Sequence, residues 1–173
     1  MGVLELIQQK AFLGTEFLTW LWARSQMEQG AIDLGDEDAV EVEFEKTITF
    51  EAHYGEATVQ SLKGEAPGAA AEARAAVLEG KTVKRAKIKL IQGEMEWTFS
   101  LRGDTFDFGS IAIPAPKGLP FEEGTGLRLD AVARLFSLMD RLFDTFLQIR
   151  LDDEAWATEL TQIRQLFEGP IED

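Results

Sequence analysis

The hydrophobic residues follow two different periodicities in two parts of the chain. Between residues 39 and 113 they alternate with polar residues, which is the pattern of half-buried antiparallel strands. Between residues 127 and 168 they recur every three or four positions, as on an amphipathic helix. Helices are also predicted over residues 15–29 and, inserted between strands, over residues 69–79. The pattern predicts one α+β domain over residues 1–173, with an antiparallel, meandering sheet packed against long helices.

Breaks in these patterns predict the connections. The first strand is expected to be interrupted near Lys46, and a turn is expected around His53. Gln92-Gly93 and Gly103-Asp104 lie between alternating runs, which favours hairpin turns. Residues 114–126 are rich in proline and glycine and are predicted to form a loop that crosses from the sheet to the late helices.

The segment Thr15–Trp22 is the richest in large apolar side chains, with one Phe, two Leu and two Trp. A buried core helix is the favoured interpretation, because aromatic rings bury large areas. The alternative is a helix partly reserved for a second subunit or a missing domain. The late helices also hold more phenylalanine than one sheet face needs, which favours a dimer interface along them. The residues predicted at an oligomer interface are Trp20, Trp22, Phe136, Phe143 and Phe146.

The only basic cluster lies on the strand predicted over residues 81–90. Its members are Lys81, Lys84, Arg85, Lys87 and Lys89. In one interpretation they pair with the glutamates of residues 41–45 across the exposed face of the sheet, at about 0.2–1 kcal/mol per pair. In the other they face the phosphates of a nucleic acid.

The overall charge is strongly acidic. The chain carries 17 basic and 31 acidic residues, a formal net charge of −14. Such a charge favours solubility and repels polyanions at long range. Charge alone therefore disfavours a protein that coats DNA, although DNA stays a candidate partner if the basic residues share one surface.

Residues that carry chemistry are few. The chain has no cysteine and one histidine, so a thiolate site or a histidine-based metal site is not expected. The acidic run of residues 33–38 lacks the ligand spacing of a calcium loop. Neither a glycine-rich phosphate loop nor a nucleophile elbow is present. We expect a protein that is not an enzyme and needs no metal or cofactor, with a metal-dependent nuclease as a remote alternative.

No apolar run approaches the length of a membrane span. Residues 1–10 include Glu5 early and lack the basic start of a secretory signal. We therefore expect a cytoplasmic protein without a membrane partner.

The order of elements resembles the C-terminal part of the recombination-associated RdgC proteins. The run Phe12–Trp22 is similar to versions of that family found in some bacteria. The other matching features are Glu79-Gly80-Lys81, the strand that opens with Val83 and Lys84, the aromatic strand through Trp97 and Phe99, the Gly103-Asp104 turn and the helix around residues 130–147.

This resemblance implies a nucleoid-associated protein that forms a ring-shaped dimer. DNA would pass through a basic central hole without strong sequence preference, and the recombinase filament would be restrained. The family implies no established catalytic centre. The residues carried over as phosphate contacts are Lys81, Lys84, Arg85, Lys87 and Lys89. The net charge of −14 departs from this expectation.

Two functional hypotheses follow. The first is a non-enzymatic, DNA-binding, recombination-associated protein of the nucleoid that acts as a homodimer. The second is an acidic module for protein–protein interaction or assembly, without DNA binding, in which the glutamates neutralise the basic strand. In both, a homo-oligomer or a partner protein is expected.

Overall fold

The computed structural model describes residues 12–36, 38–52, 59–63, 71–114, 118 and 120–168. The turn predicted around His53 and the first two residues of the predicted helix 69–79 lie outside these ranges.

Four α-helices occur in the described part of the chain. They are α1 (Phe12–Ser25), α2 (Ala71–Leu78), α3 (Phe121–Arg150) and α4 (Asp153–Glu168). The first helix ends four residues earlier than predicted, and a 3-10 turn, Glu28–Gly30, follows it. Gly30 has a positive φ of 79°, and a Cβ there would lie 2.4 Å from the carbonyl oxygen of Val42. Only glycine allows this close approach of the turn to the sheet.

Among the residues that the structure describes, six strands form one antiparallel sheet. They are β1 (Ala31–Ile32), β2 (Val40–Ala52), β3 (Val59–Lys63), β4 (Lys81–Gln92), β5 (Met95–Arg102) and β6 (Phe108–Ala112). The order is β1-β2-β4-β5-β6, and β3 also pairs with β2. The predicted α+β class with an antiparallel sheet is confirmed. The interruption predicted near Lys46 is also confirmed, as a register shift between Glu45 and Ile48.

The helices cover one face of the sheet. Inward residues of β4 and β5, such as Ile88, Trp97 and Phe99, are fully buried because α1 and α3 pack over them. The indole N–H of Trp97 donates to the carbonyl oxygen of Ala131, at 2.9 Å, and so attaches α3 to β5. The outward side chains of the same strands alternate with the buried ones and are exposed or half-buried. The sheet therefore has a covered face and an open face.

The aromatic residues of α1 and α3 meet in the core. The ring of Phe17 lies 5.1 Å from that of Phe143 and 5.7 Å from that of Phe146, measured between centroids. Trp22 packs against Phe167 of α4 at 4.9 Å. These contacts confirm the core-helix interpretation of residues 15–22.

The same burial corrects the predicted oligomer interface. Trp20, Trp22, Phe143 and Phe146 are almost completely buried within their own chain. The prediction is wrong for these four residues, because the aromatic surplus of the helices fills the space between α1, α3 and α4. Phe136, the fifth residue, is 41% exposed and retains surface for a partner.

A buried ion pair joins the first helix to the last. Glu159 of α4 is only 5% exposed, and its carboxylate accepts hydrogen bonds from Arg24 at 2.7 and 2.6 Å and from the indole N–H of Trp20 at 2.8 Å. A buried carboxylate is tolerated only when its charge is matched and its oxygens are hydrogen-bonded. This site meets both conditions, so it fixes α4 against α1.

Helix α3 begins earlier than the sequence pattern predicts. The prediction of a loop over residues 114–126 is wrong from Phe121 onward, since the helix starts there and includes Gly124 and Gly126. Pro120 directly precedes the helix, and Glu122 and Glu123 occupy its first turn. Acidic residues are favourable there because they oppose the positive end of the helix dipole.

Candidate functional site

The first candidate surface is the open face of the sheet, where the predicted basic cluster lies. Glu43 is the register partner of Lys89, and Glu45 is that of Lys87. The side-chain nitrogens and oxygens of these pairs are 3.5 and 3.4 Å apart, and Lys84 pairs with Glu51 at 3.0 Å. This arrangement follows from alternation, because it places the charged side chains of both strands on the same face.

Lys89 is held by two carboxylates. Glu43 and Glu96 flank it from the neighbouring strands, and Glu96 lies 3.3 Å away. Desolvation lowers the pKa of Lys89, but the hydrogen bond to Glu96 and the two negative charges outweigh it, so its pKa is raised. The ammonium charge therefore stays matched throughout the physiological pH range.

Lys81 lies apart from the other basic residues. It forms an ion pair with Glu79 at 3.0 Å and lines a small cavity beside Trp20 and Trp156, on the helical side of the molecule. The five residues predicted to contact DNA therefore do not share one surface, and four of them are matched by glutamates. DNA binding by these residues stays a prediction, and the geometry favours the paired interpretation instead.

Arg85 is the exception within the cluster. Arg85 lies opposite Thr49, whereas Lys87 and Lys89 lie opposite glutamates. On its other side it faces Arg102, whose guanidinium bonds to Asp104 at 2.9 Å. The Asp104 carboxylate raises the pKa of Arg102. The side chain of Arg85 makes no hydrogen bond or ion pair with any residue that the structure describes.

Arg85 lines a polar groove of about 520 Å³ on the open face. The groove runs across β2, β3, β4, β5 and β6, and most of its other lining side chains are hydroxyls. These are Thr47, Thr49, Ser61, Ser100 and Ser110. None of these hydroxyls makes a side-chain hydrogen bond within the described part of the chain. We call this site the hydroxyl groove.

The irregularities of the sheet are concentrated around this groove. Strand β2 shifts register twice against β4, on either side of residues 48–49, and β6 shifts against β5 near Ser100. Ser110 has a left-handed backbone, with φ of 50°. At Gly109 a Cβ would lie 2.8 Å from the hydroxyl oxygen of Ser100, so β6 approaches β5 closely there. Bulges bend a strand and redirect its side chains, here towards the groove.

The second candidate surface is the projecting end of α3, which we define as residues 121–130. Nine of these ten residues are exposed, whereas the helix packs on the core from Ala131 onward. Phe121 is 84% exposed and Leu129 is 66% exposed. A Cβ built at Gly124 or Gly126 would meet no atom within 4 Å. The projecting end thus has almost no partner within the described chain.

Three exposed apolar residues of α3, Phe121, Leu129 and Phe136, lie along one side of the helix together with Thr125 and the half-buried Val132. Residues 121, 125, 129, 132 and 136 follow steps of four, four, three and four, which keeps them on one side. They are Phe121, Thr125, Leu129, Val132 and Phe136. The inner end of this stripe is anchored on the sheet, since Phe136 packs edge-on against Phe108 of β6 at 5.1 Å between ring centroids. We call these five residues the α3 stripe.

The sequence analysis missed the outer part of this stripe because it assigned residues 114–126 to a loop. Two glycines in six residues are unfavourable in a helix, and they concealed the step from Phe121 to Leu129. The signal that identifies the helix start is Pro120 followed by Phe121-Glu122-Glu123, an acidic first turn.

A polar cluster lies at the packed half of α3. Arg141 donates to Asp36 at 2.6 Å, and the buried amide of Gln92 donates to the same carboxylate at 2.9 Å. These two hydrogen bonds, that from Arg141 foremost, lower the pKa of Asp36. The cluster attaches the loop that precedes β2 to α3.

Within the described residues, no group of His, Cys, Asp and Glu is arranged to hold a metal ion. In the same part of the chain, no helix is long and apolar enough to cross a bilayer. Comparison of the chain with family models, with curated proteins and with solved structures gives no match.

Proposed function

We propose that the protein is a non-enzymatic assembly module that associates with a second copy of itself through the α3 stripe. The observation that carries this proposal is the exposure of Phe121 and Leu129 on a helix end that packs against nothing described. Fully burying one large apolar side chain contributes about 1.5–3 kcal/mol. An unpacked helix end with two glycines is also unfavourable by itself. A partner that covers the stripe removes both costs.

The charge of the chain favours a copy that docks on this stripe rather than elsewhere. Each copy carries a net charge of −14, so most approaches of two copies are repulsive. The stripe contains no charged residue; Glu123 and Asp130 lie away from it, and Glu122 and Arg128 lie at its two edges. The centre of the stripe is therefore a surface on which two acidic copies meet without placing carboxylates directly against each other.

The stripe is also complementary to itself. Phe121 and Leu129 each lie four residues from Thr125. If two α3 helices cross antiparallel with their symmetry axis at Thr125, Phe121 of each copy lies opposite Leu129 of the other. Such an isologous contact closes at two copies.

A matched pair of variants tests this proposal. Leu129 lies on the stripe, whereas Leu127, also exposed, lies on another side of the same helix end. We expect sedimentation equilibrium to give twice the mass of one chain for the native protein and for Leu127→Glu, and the mass of one chain for Leu129→Glu. A native protein that stays monomeric at high concentration, or equal behaviour of the two variants, would refute the self-association.

The DNA-binding hypothesis is tested separately. Ion pairs between the glutamates and Lys84, Lys87 and Lys89 weigh against it, because counterion release requires unmatched basic side chains. We expect no gel shift of a duplex oligonucleotide, even at low salt. A salt-sensitive shift that disappears in the double variant Arg85→Glu/Lys87→Glu would instead support a protein of the recombination-associated type.

A further inference from the structure

We infer that the hydroxyl groove is a binding site for a small phosphorylated ligand, about the size of a sugar phosphate or a mononucleotide. This inference concerns the open face of the sheet and does not depend on self-association through α3. The groove measures about 520 Å³, which lies within the range of small-molecule sites, about 300–1,000 Å³.

The first argument is the unmatched charge of Arg85. Each neighbouring lysine on the open face has its own glutamate, and Arg102 has Asp104. Arg85 faces Arg102 across the ladder, and like charges directly opposite each other destabilise a sheet. An anion bound beside Arg85 relieves that repulsion. The planar guanidinium is the side chain that best fits two oxygens of one phosphoryl group.

The second argument is the hydroxyl lining. On the described helices, threonine hydroxyls are occupied: that of Thr19 accepts the Val83 N–H at 2.8 Å, and that of Thr145 donates to the Arg141 carbonyl at 2.9 Å. The five hydroxyls of the groove have no such partner among the described residues. Each supplies one donor and two acceptor positions, which suits phosphoryl oxygens and sugar hydroxyls.

The third argument is the shape of the sheet. Three register shifts surround the groove and one of its hydroxyls, that of Ser110, sits on a left-handed residue. A non-glycine residue in this conformation costs about 1–3 kcal/mol and persists where the surroundings require it. The shifts bend the strands beside the groove, which is lined by residues of β2, β3, β4, β5 and β6.

The charge around the groove favours a small ligand over a polymer. A nucleic acid that crossed the open face would meet lysines that are already matched by Glu43, Glu45 and Glu51, in a protein of net charge −14. A single phosphoryl group needs only the immediate surroundings of Arg85. The described residues of the groove include no acid that pairs with Arg85 and no histidine, so we assign binding and no reaction.

The test uses ribose 5-phosphate as the probe, with ribose and inorganic phosphate as matched probes, in calorimetric titrations at constant ionic strength. We expect ribose 5-phosphate to bind with a millimolar or lower dissociation constant, inorganic phosphate to bind more weakly, and ribose not to bind. Arg85→Gln should weaken the binding about tenfold or more, because it removes a charge-assisted contact. Arg128→Gln, at an exposed arginine on the projecting end of α3, should leave it unchanged.

Ser110→Gly provides a second test, because it removes one hydroxyl while glycine accepts the left-handed backbone. We expect weaker binding without a lower midpoint of chemical unfolding, because glycine relieves the strain of this backbone conformation. Absence of binding at tens of millimolar ribose 5-phosphate would overturn the inference, as would binding that Arg85→Gln leaves intact. Salt-sensitive binding of a single-stranded oligonucleotide, much tighter than that of ribose 5-phosphate and lost in Arg85→Gln, would also overturn it and assign the groove to nucleic acid.

Discussion

The two parts of helix α3 differ in what surrounds them. From Ala131 onward the helix buries Leu135, Leu142 and Phe143 among other apolar residues, and it closes the core over the sheet. The projecting end, residues 121–130, belongs to the same helix but has no buried residue. The first part is thus explained by the fold of one chain, whereas the second exposes Phe121 and Leu129 without any benefit to that fold.

Under the proposed function, the difference separates apolar residues that build a core from apolar residues that meet a partner. A projecting end with no function outside the chain would gain nothing from a phenylalanine or a leucine on its surface. Large exposed apolar patches on monomeric proteins mark interaction sites. Substitutions in the two parts of α3 should therefore affect different measurements.

The largest expected effect comes from the packed part. Phe143→Ala should lower the free energy of unfolding by about 3–5 kcal/mol, because it removes a fully buried ring that contacts Phe17 and Phe146. Phe121→Ala should change the same quantity by about 0.5 kcal/mol or less in dilute solution, where the chain is monomeric. Urea unfolding of both variants measures this contrast. Similar losses would show that the projecting end belongs to the core.

The ion pair between α1 and α4 should give a loss of similar size. Arg24→Met leaves the carboxylate of Glu159 buried without a charge partner, which costs about 3–5 kcal/mol. The double variant Arg24→Met/Glu159→Leu should recover most of that loss, because it removes both charges. A double-mutant cycle by chemical denaturation checks this, and the account fails if the double variant is no more stable than Arg24→Met.

The glycines of the projecting end give a smaller effect. Gly124→Ala/Gly126→Ala should favour the helix by about 0.8–1 kcal/mol per residue and raise the helical signal in circular dichroism. Successive residues of a helix are about 100° apart, so both glycines lie to the sides of Thr125 and not at the proposed contact, and association should not weaken. Weaker association in this variant would contradict the proposed crossing.

The smallest effect concerns acid stability at the packed part. Because the pKa of Asp36 is lowered in the folded chain, its contribution to stability is present above the ordinary aspartate pKa and is lost as pH falls through the lowered value. Asp36→Asn should slightly reduce stability near neutral pH and should lose less stability between neutral and acidic pH than the native chain. Thermal unfolding across that range measures the difference. Identical pH profiles would show that the Arg141 contact contributes nothing.

The sequence predicted the structural features that depend on the periodicity of hydrophobic residues. It did not predict the features that depend on strand register or on side-chain packing. Alternation over residues 39–113 predicted the sheet and the pairing of the glutamates, including Glu43 and Glu45, with the basic strand. Both predictions are confirmed. The pairing of Arg85 with Thr49 was not predictable, since it depends on the register shift between Glu45 and Ile48.

The interface prediction failed for a related reason. A count of aromatic residues cannot tell which of them fill one core. Trp20, Trp22, Phe143 and Phe146 fit together among three helices, and only the coordinates show this. Phe136 is not buried in this core, because it belongs to the α3 stripe and contacts Phe108 of the edge strand β6.

The most direct test of self-association through α3 uses the absence of cysteine in the chain. A single Thr125→Cys substitution places one thiol on the proposed symmetry axis, where two copies can form a disulfide. Mild oxidation should convert this variant to a covalent dimer, while Asp140→Cys, at an exposed position on the packed part of α3, should stay monomeric in denaturing electrophoresis. Equal cross-linking of the two variants, or none at residue 125, would contradict the account.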